Sequence, residues 1–311
     1  MDELIKKIEA SQSFKSFIRE RDVSKLFHEH GWKAQHGAYY QDIKERKDRE
    51  IDVIARQIWT KQTKLGEQLV RLIVPVEVKT MSGFHIIISS FDIEKNSFFQ
   101  NIVWLGDSGA EYLRLRTKLL NSGLSDEIVD TLIQHLHDFA YPRQKARTFS
   151  LMLRPQDELV FTSFRETNIG SEKDLDNSVF WRASQSLYSA TKSITESIYE
   201  YHLGWINLSL LERSKIGDEI NYVEEIFNSM CSQIQMIDII HPIVVTDAML
   251  WAVSDDSPQE IGSCRFSLHG YNGSVIWWCD LVNSSNLTEY LSKLTKHYTV
   301  ALRKIRAKRS M

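Results

Sequence analysis

Val74-Pro75-Val76-Glu77-Val78-Lys79-Thr80 is the stretch on which the reading of this chain turns. Successive side chains of a strand point to opposite faces, so Val76 and Val78 turn one way and Glu77 and Lys79 the other. One face packs, and the other carries charge. Upstream, Arg49-Glu50-Ile51-Asp52-Val53-Ile54-Ala55 reads as a second strand, with Asp52 at the edge of its apolar run. If the two strands lie side by side, two carboxylates and one ammonium converge at a sheet surface. Such a set can hold a divalent cation and position a water against a phosphodiester.

Outward from this pair, residues 13–30 carry Phe14, Phe17, Ile18, Val23, Leu26 and Phe27 at near-helical spacing, and Gly31 supplies a stop. Extended segments are expected at Trp32–Tyr40, Glu50–Ile58, Leu69–Lys79 and, across the turn Met81-Ser82-Gly83, Phe84–Ser89. The order α-β-β-β-β predicts a meander with a helix on one face. Residues 96–140 read as helical, followed by short extended passages at Phe149–Leu153 and Glu158–Phe161 and an acidic loop through Glu172, Asp174 and Asp176. Phe180, Ala183, Leu187, Ala190, Ile194, Ile198 and Tyr201 give the longest clean helical period. A further helix is expected near Glu219–Met236, then strands at Pro242–Val253, Ser263–His269 and Ser274–Val282, with a turn at Asn272-Gly273. A terminal helix opens near Ser285 or Asn286. The expected class is α/β, in three parts. Residues 1–95 hold the helix, strands and charged motif, 96–176 form a mainly helical insertion, and 177–311 complete or extend the core.

Composition sets the bounds. With 311 residues, 42% hydrophobic and 25% charged, the chain reads as an ordinary globular protein able to bury a sizeable core. No apolar run approaches the roughly 20 residues of a membrane span. The start, Met1-Asp2-Glu3-Leu4, lacks a hydrophobic signal core, so a cytoplasmic location is expected. Cys231, Cys264 and Cys279 are widely spaced and odd in number, which argues against a disulfide framework. Buried free thiols are the expectation. A net charge of −3 advertises no polyanion partner, although Lys293, Lys296, Arg303, Lys304, Arg306, Lys308 and Arg309 concentrate positive charge near the end.

A bare Glu-x-Lys occurs by chance about once in a few hundred residues, so the chemistry depends on context. Asp52 and Glu77 are the expected metal anchors, the backbone carbonyl of Val78 a third ligand, and Lys79 a group that orients water or stabilises phosphate charge. Together Ile51-Asp52-Val53 and Val76-Glu77-Val78-Lys79 resemble the PD-(D/E)xK phosphodiesterase superfamily, the restriction-endonuclease-like fold. In archaeal-type Holliday-junction resolvases and related restriction enzymes a helix glutamate precedes a helix-ending glycine by about three turns. Glu20, ahead of Gly31 and Trp32, matches that arrangement. The resemblance covers residues 13–90. It departs from the pattern in placing Ile51 where the motif has proline, and in separating the fourth strand from the long helix by some ninety residues. Some relatives carry a glutamine and a tyrosine on that helix, for which Gln185 and Tyr188 are the candidates.

The resemblance implies a mixed central sheet flanked by helices and a Mg²⁺- or Mn²⁺-dependent nuclease acting on DNA, with Glu20, Asp52, Glu77 and Lys79 catalytic. A role in defence against foreign DNA follows only by analogy. The alternatives are a non-catalytic nucleic-acid-binding or assembly subunit with the same fold, and an RNA nuclease. A homo-oligomer or a partner subunit is compatible with either. Glu50 shares a strand face with Asp52 and competes with it for the acid role. His28, His30, His36 and His85 read as surface or satisfied histidines, and Tyr39-Tyr40 and Trp277-Trp278 as core and rim. No GxxxxGK[ST] loop or Rossmann glycine pattern is present.

Overall fold

The computed structural model of the protein describes residues 2–42, 45–63, 66–90, 102–103, scattered positions between 116 and 130, 160–168, 178–213, 236–254, 257–269 and 275–307. It is a mixed α/β protein built on one sheet of parallel and antiparallel strands with helices against both faces. No helix among the described residues is long and apolar enough to cross a membrane.

Helix α1 (Asp2–Ala10) leads into α2 (Gln12–Glu29). Ser11 caps α2, its Oγ accepting the Phe14 N–H at 3.2 Å. At the other end Gly31 takes φ +80°. The Trp32 N–H reaches back to the Phe27 carbonyl at 3.0 Å and the Gly31 N–H to that of His28 at 2.9 Å. This is a Schellman ending, and the Phe27 and Trp32 rings meet edge-on at 5.6 Å as its hydrophobic contact. Three antiparallel strands follow in space as in sequence: β1 (Lys33–Gln41), β2 (Asp48–Thr63) and β3 (Gly66–Lys79).

The expected meander ends there. Strand β4 (Phe84–Ser90) does not pair with β3. The free edge of β3 is taken by two buried parallel strands, β7 (Met236–Ile240) and β8 (Ile243–Thr246). Pro242, which has no N–H, separates them. From β8 the sheet continues through β12 (Val275–Asn283), β11 (Ser263–His269), β6 (Val160–Asn168), β4, β9 (Met249–Ser254) and β10 (Ser257–Ile261). A two-residue strand, β5 (Ile102–Val103), pairs with β7. The pair β3–β8 therefore turns into the pair β4–β9 at one corner, Met81–Gly83 beside Asp247–Ala248. Asp247 fastens that corner, accepting from the Met81 N–H, from Ser82 Oγ at 2.5 Å and from Arg19 of α2.

Helix α3 (Val179–Arg213) packs on one face of the curled sheet with Phe180, Ala183, Leu187, Ala190 and Ile198 buried, as its period predicts. Glu166 of β6 holds its N-terminus by accepting the Val179 and Phe180 N–H groups at 2.9 and 2.7 Å. The other face is covered by α2 and by α4 (Leu287–Ala307), whose Leu287, Tyr290, Leu291, Leu294 and Tyr298 form one buried stripe. The even residues of the motif strand end up toward one helix layer and the odd residues toward the other: Val76 and Val78 are buried with α2 and α4, and Glu77 faces α3.

Some expectations change. Phe17 of α2 is 52% exposed, because the packed face of the helix runs through Val23 and Phe27. The segment expected as one strand at Pro242–Val253 is two, broken at the corner. Strand β6 begins in the extended passage expected at Glu158–Phe161 and runs on to Asn168, within a part expected to be mainly helical. Helix α1 and strands β5 and β10 were not anticipated, β5 lying in the stretch read as helical. The Phe149–Leu153 passage, the acidic loop, most of the 96–140 helical reading, the 219–235 helix, the Asn272-Gly273 turn, Cys231 and the basic positions 308–309 lie outside the described residues. Cys264 and Cys279 are buried free thiols, as expected.

No heavy atom lies within 4 Å of the position a Gly31 Cβ would take, so substitution there meets only the cost of the left-handed backbone. Gly31→Ala should lower the urea unfolding free energy by about 1 kcal/mol. An unchanged value would show that the Schellman ending does not hold α2 in place.

Candidate functional site

The ladder between β2 and β3 runs from Thr63 opposite Gly66 to Val53 opposite Val76 and stops there. The strands part at the next pair, Asp52 and Glu77. Asp52 Oδ2 replaces the missing ladder bond by accepting the Val78 N–H at 2.6 Å. On the other side of β2, Gly37 of β1 stands opposite Asp52 with φ +65°, between the pairs His36–Val53 and Ala38–Ile51. Asp52 thus sits where the sheet is irregular on both sides, which frees its carboxylate from the plain strand surface.

Lys79 bridges the two acids. Its Nζ lies 2.5 Å from Glu77 Oε2 and 3.4 Å from Asp52 Oδ2. Glu77 is only 3% exposed, and its second oxygen accepts Ser186 Oγ of α3 at 2.7 Å. The Tyr40 hydroxyl donates to the Ser186 carbonyl at 3.3 Å, closing the side next to β1. Val78 meets Asp52 through its N–H, and an extended residue turns its carbonyl to the same side, so the expected third ligand also faces the gap.

Glu20 arrives from α2. It accepts Ser16 Oγ at 3.0 Å and lies 3.2 Å from His36 Nε2 through its other oxygen. Its charge is felt at Asp52. Burial first, and then the Glu77 charge, push the Asp52 carboxyl up to about 6, against Lys79 and the Val78 N–H, with Glu20 adding to the rise. Burial works against the Lys79 ammonium, but Glu77 and Asp52 outweigh it and hold its pKa above the ordinary value. Burial also raises the Tyr40 phenol, with Glu77 adding to the effect. Of the four residues expected to act together, Asp52, Glu77 and Lys79 meet directly, whereas Glu20 touches Ser16 and His36 and reaches Asp52 only through its charge.

The remaining candidates separate clearly. Glu50 is exposed and lies against Gly37, where an added Cβ would be 2.8 Å from its Oε1. Asp52, not Glu50, is the acid that meets Lys79. His28 is exposed, His30 Nδ1 lies against the Leu26 carbonyl of its own helix, and His85 Nδ1 accepts Trp251 Nε1 at 2.9 Å. His36, read as a surface or satisfied histidine, is a satisfied one, with Nε2 3.2 Å from Glu20 Oε2. Tyr39 is 72% exposed, whereas Trp278 is buried beneath the Arg265 guanidinium at 3.9 Å. Gln185 and Tyr188 line a cavity of about 760 Å³ between α3, the turn end of the β1–β2 hairpin and β11–β12. Ser186 was missed. Its signal was the series of hydroxyls Ser184, Ser186, Ser189, Thr191 and Ser193 on a helix whose apolar positions are buried.

Among the described residues no group of three or more His, Cys, Asp or Glu is arranged to hold a metal ion. Asp52 and Glu77 form a pair. One or two carboxylates suffice for Mg²⁺, which keeps several waters and takes other oxygens from substrate phosphate. Two carboxylate oxygens on one ammonium, with a backbone carbonyl turned toward the same gap, form a hard-oxygen set suited to such a cation. Compared with protein-family models, with curated proteins and with solved structures, the chain finds no match.

Because folding raises the Asp52 pKa to about 6 from 3.8, folding is penalised above pH 6 and the penalty fades as pH falls through 6 toward 4. Asp52→Asn should therefore stabilise the metal-free protein at pH 8 by about 2 kcal/mol in urea unfolding, with the advantage vanishing near pH 4. An equal effect at both pH values would contradict the crowding of charge around Asp52.

Proposed function

We propose that this protein is a restriction-endonuclease-like, metal-dependent nuclease that hydrolyses phosphodiester bonds, with DNA as substrate. The observation that carries the reading is the shared contact of Asp52 and Glu77 with Lys79, where β2 and β3 part. Asp52, Glu77 and the Val78 carbonyl would hold Mg²⁺ or Mn²⁺, which supplies charge relief at the phosphate and an activated water.

The chain's own residues account for the rest. Lys79 keeps its charge at neutral pH, and on release from one carboxylate its ammonium can reach a phosphate oxygen or orient water. Ser186 fixes the rotamer of Glu77, and His36 and Ser16 fix that of Glu20. Glu20 contributes negative charge on the α2 side of the site, suited to holding a water. Asp247, tied to Arg19, anchors α2 at the corner one residue beyond Thr246, the partner of Lys79. Hydrogen bonds from Ser82, Arg19 and Met81 overcome burial and hold Asp247 below the usual carboxylate range, so this anchor stays ionised.

Plasmid DNA incubated with Mg²⁺ or Mn²⁺ should be cleaved by the wild-type protein, and Glu77→Ala and Lys79→Ala should each reduce the rate by about 100-fold or more. Cleavage should also fall as pH drops below 6, where Asp52 takes up a proton and no longer binds a cation well. Cleavage undiminished by either substitution would overturn the site. Binding of DNA with no cleavage in either metal would favour a non-catalytic subunit.

A further inference from the structure

The cavity beside α3 borders the candidate active site at Ser186 and Tyr40. Ser186 lines it and also donates to Glu77, and Tyr40 lines it and donates to the Ser186 carbonyl. At about 760 Å³ it falls within the size range of sites for small ligands. Its wall combines three chemistries. Tyr188 and Trp181 supply partly exposed rings, and the buried Trp277 meets Tyr188 edge-on at 5.7 Å. Gln185, exposed on the rim, presents an amide with both donors and an acceptor. Lys192 stands 5.7 Å over the Tyr188 ring and Arg182 is exposed nearby, while Asp42 on the same wall is engaged by Arg49 and Ser189. Glu196 is the second acid there.

We propose that this cavity binds one unpaired nucleotide of the strand whose phosphodiester faces Asp52 and Glu77, an assignment that rests on the phosphodiesterase reading. Rings take up a base by its faces, an amide reads its edge, and cations meet the adjoining phosphates. Within a duplex the faces of a base are covered by its neighbours and only groove edges are offered. The cavity therefore selects single-stranded ends, flaps or gaps over intact duplex, and its contact with Glu77 through Ser186 places the bound nucleotide next to the bond to be cut.

The test uses the full-length protein in chelator, where no turnover occurs, and fluorescence anisotropy of a labelled single strand of ~12 nucleotides and of the same strand in a blunt duplex. The single strand should bind about ten-fold more tightly than the duplex. Tyr188→Ala should weaken single-strand binding about ten-fold, and Gln185→Ala and Lys192→Glu, both at exposed positions where folding is not at risk, about three-fold or more. Duplex affinity should be unchanged by Gln185→Ala. Equal affinity for the two forms, or single-strand binding indifferent to Gln185→Ala and Lys192→Glu, would overturn the site. Selective single-strand binding that responds to these variants, with no cleavage when Mg²⁺ or Mn²⁺ is added, would keep the site and refute the nuclease. Cleavage of the single strand in Mg²⁺ or Mn²⁺ unaffected by all three variants would refute the site and leave the nuclease reading standing. A matching RNA strand bound equally well would extend the site to either sugar.

Discussion

One ammonium shared by two carboxylates, at the point where two strands part, is the constraint around which this protein is arranged. Two like charges brought together at low exposure repel and lose hydration, and either cost alone would favour protonation. Lys79 offsets both without cancelling them, since Asp52 is still pushed up to about 6. The sheet makes the arrangement unavoidable. Val76 and Val78 are buried under α2 and α4, so Glu77 and Lys79 have only the opposite face to occupy. The opening of the β2–β3 ladder beyond Val53 then lets Asp52 turn in to meet them.

A second buried charged cluster shows what separates a site from a strut. His241 lies 2.6 Å from Asp280 and 2.7 Å from the Tyr298 hydroxyl, and Arg265 pairs with both oxygens of Asp280 at 2.7 and 3.0 Å. Tyr290 donates to the same carboxylate at 2.6 Å. Arg265 and His241 pull Asp280 below the usual carboxylate range despite full burial, and burial itself lowers the His241 pKa. Every oxygen of Asp280 is matched by a donor, and the group, buried throughout, ties α4 to the link between β7 and β8, to β11 and to β12. In the Asp52–Glu77–Lys79 set negative charge exceeds positive and Lys79 keeps 29% of its side chain exposed. An incompletely compensated, reachable set is suited to binding something; a compensated, enclosed one is suited to holding helices on a sheet.

The local chemistry was legible in the sequence because it is local. Glu77 and Lys79 are two residues apart, Asp52 lies on the adjacent antiparallel strand, and Gly31 marks the helix end beyond Glu20. Alternation and a glycine stop are short-range signals that the fold preserves. The corner was not legible. Nothing in Met81-Ser82-Gly83 says whether β4 folds back on β3 or turns away, because the answer depends on β8 and β9 arriving from more than 150 residues later. The same separation hid Asp247, whose partners are Arg19, Met81 and Ser82, and Ser186, whose partner is Glu77. His36 looked like any strand histidine until α2 placed Glu20 against it.

A crystal of the protein soaked in Mn²⁺ would show directly whether the pair built by β2 and β3 is a cation site. An anomalous peak bound to both Asp52 and Glu77, at about 2.0–2.3 Å from their oxygens, with the Lys79 ammonium displaced from between them, is the expected result. An empty site with Lys79 still bridging the two carboxylates, in a crystal that carries Mn²⁺ elsewhere, would contradict it.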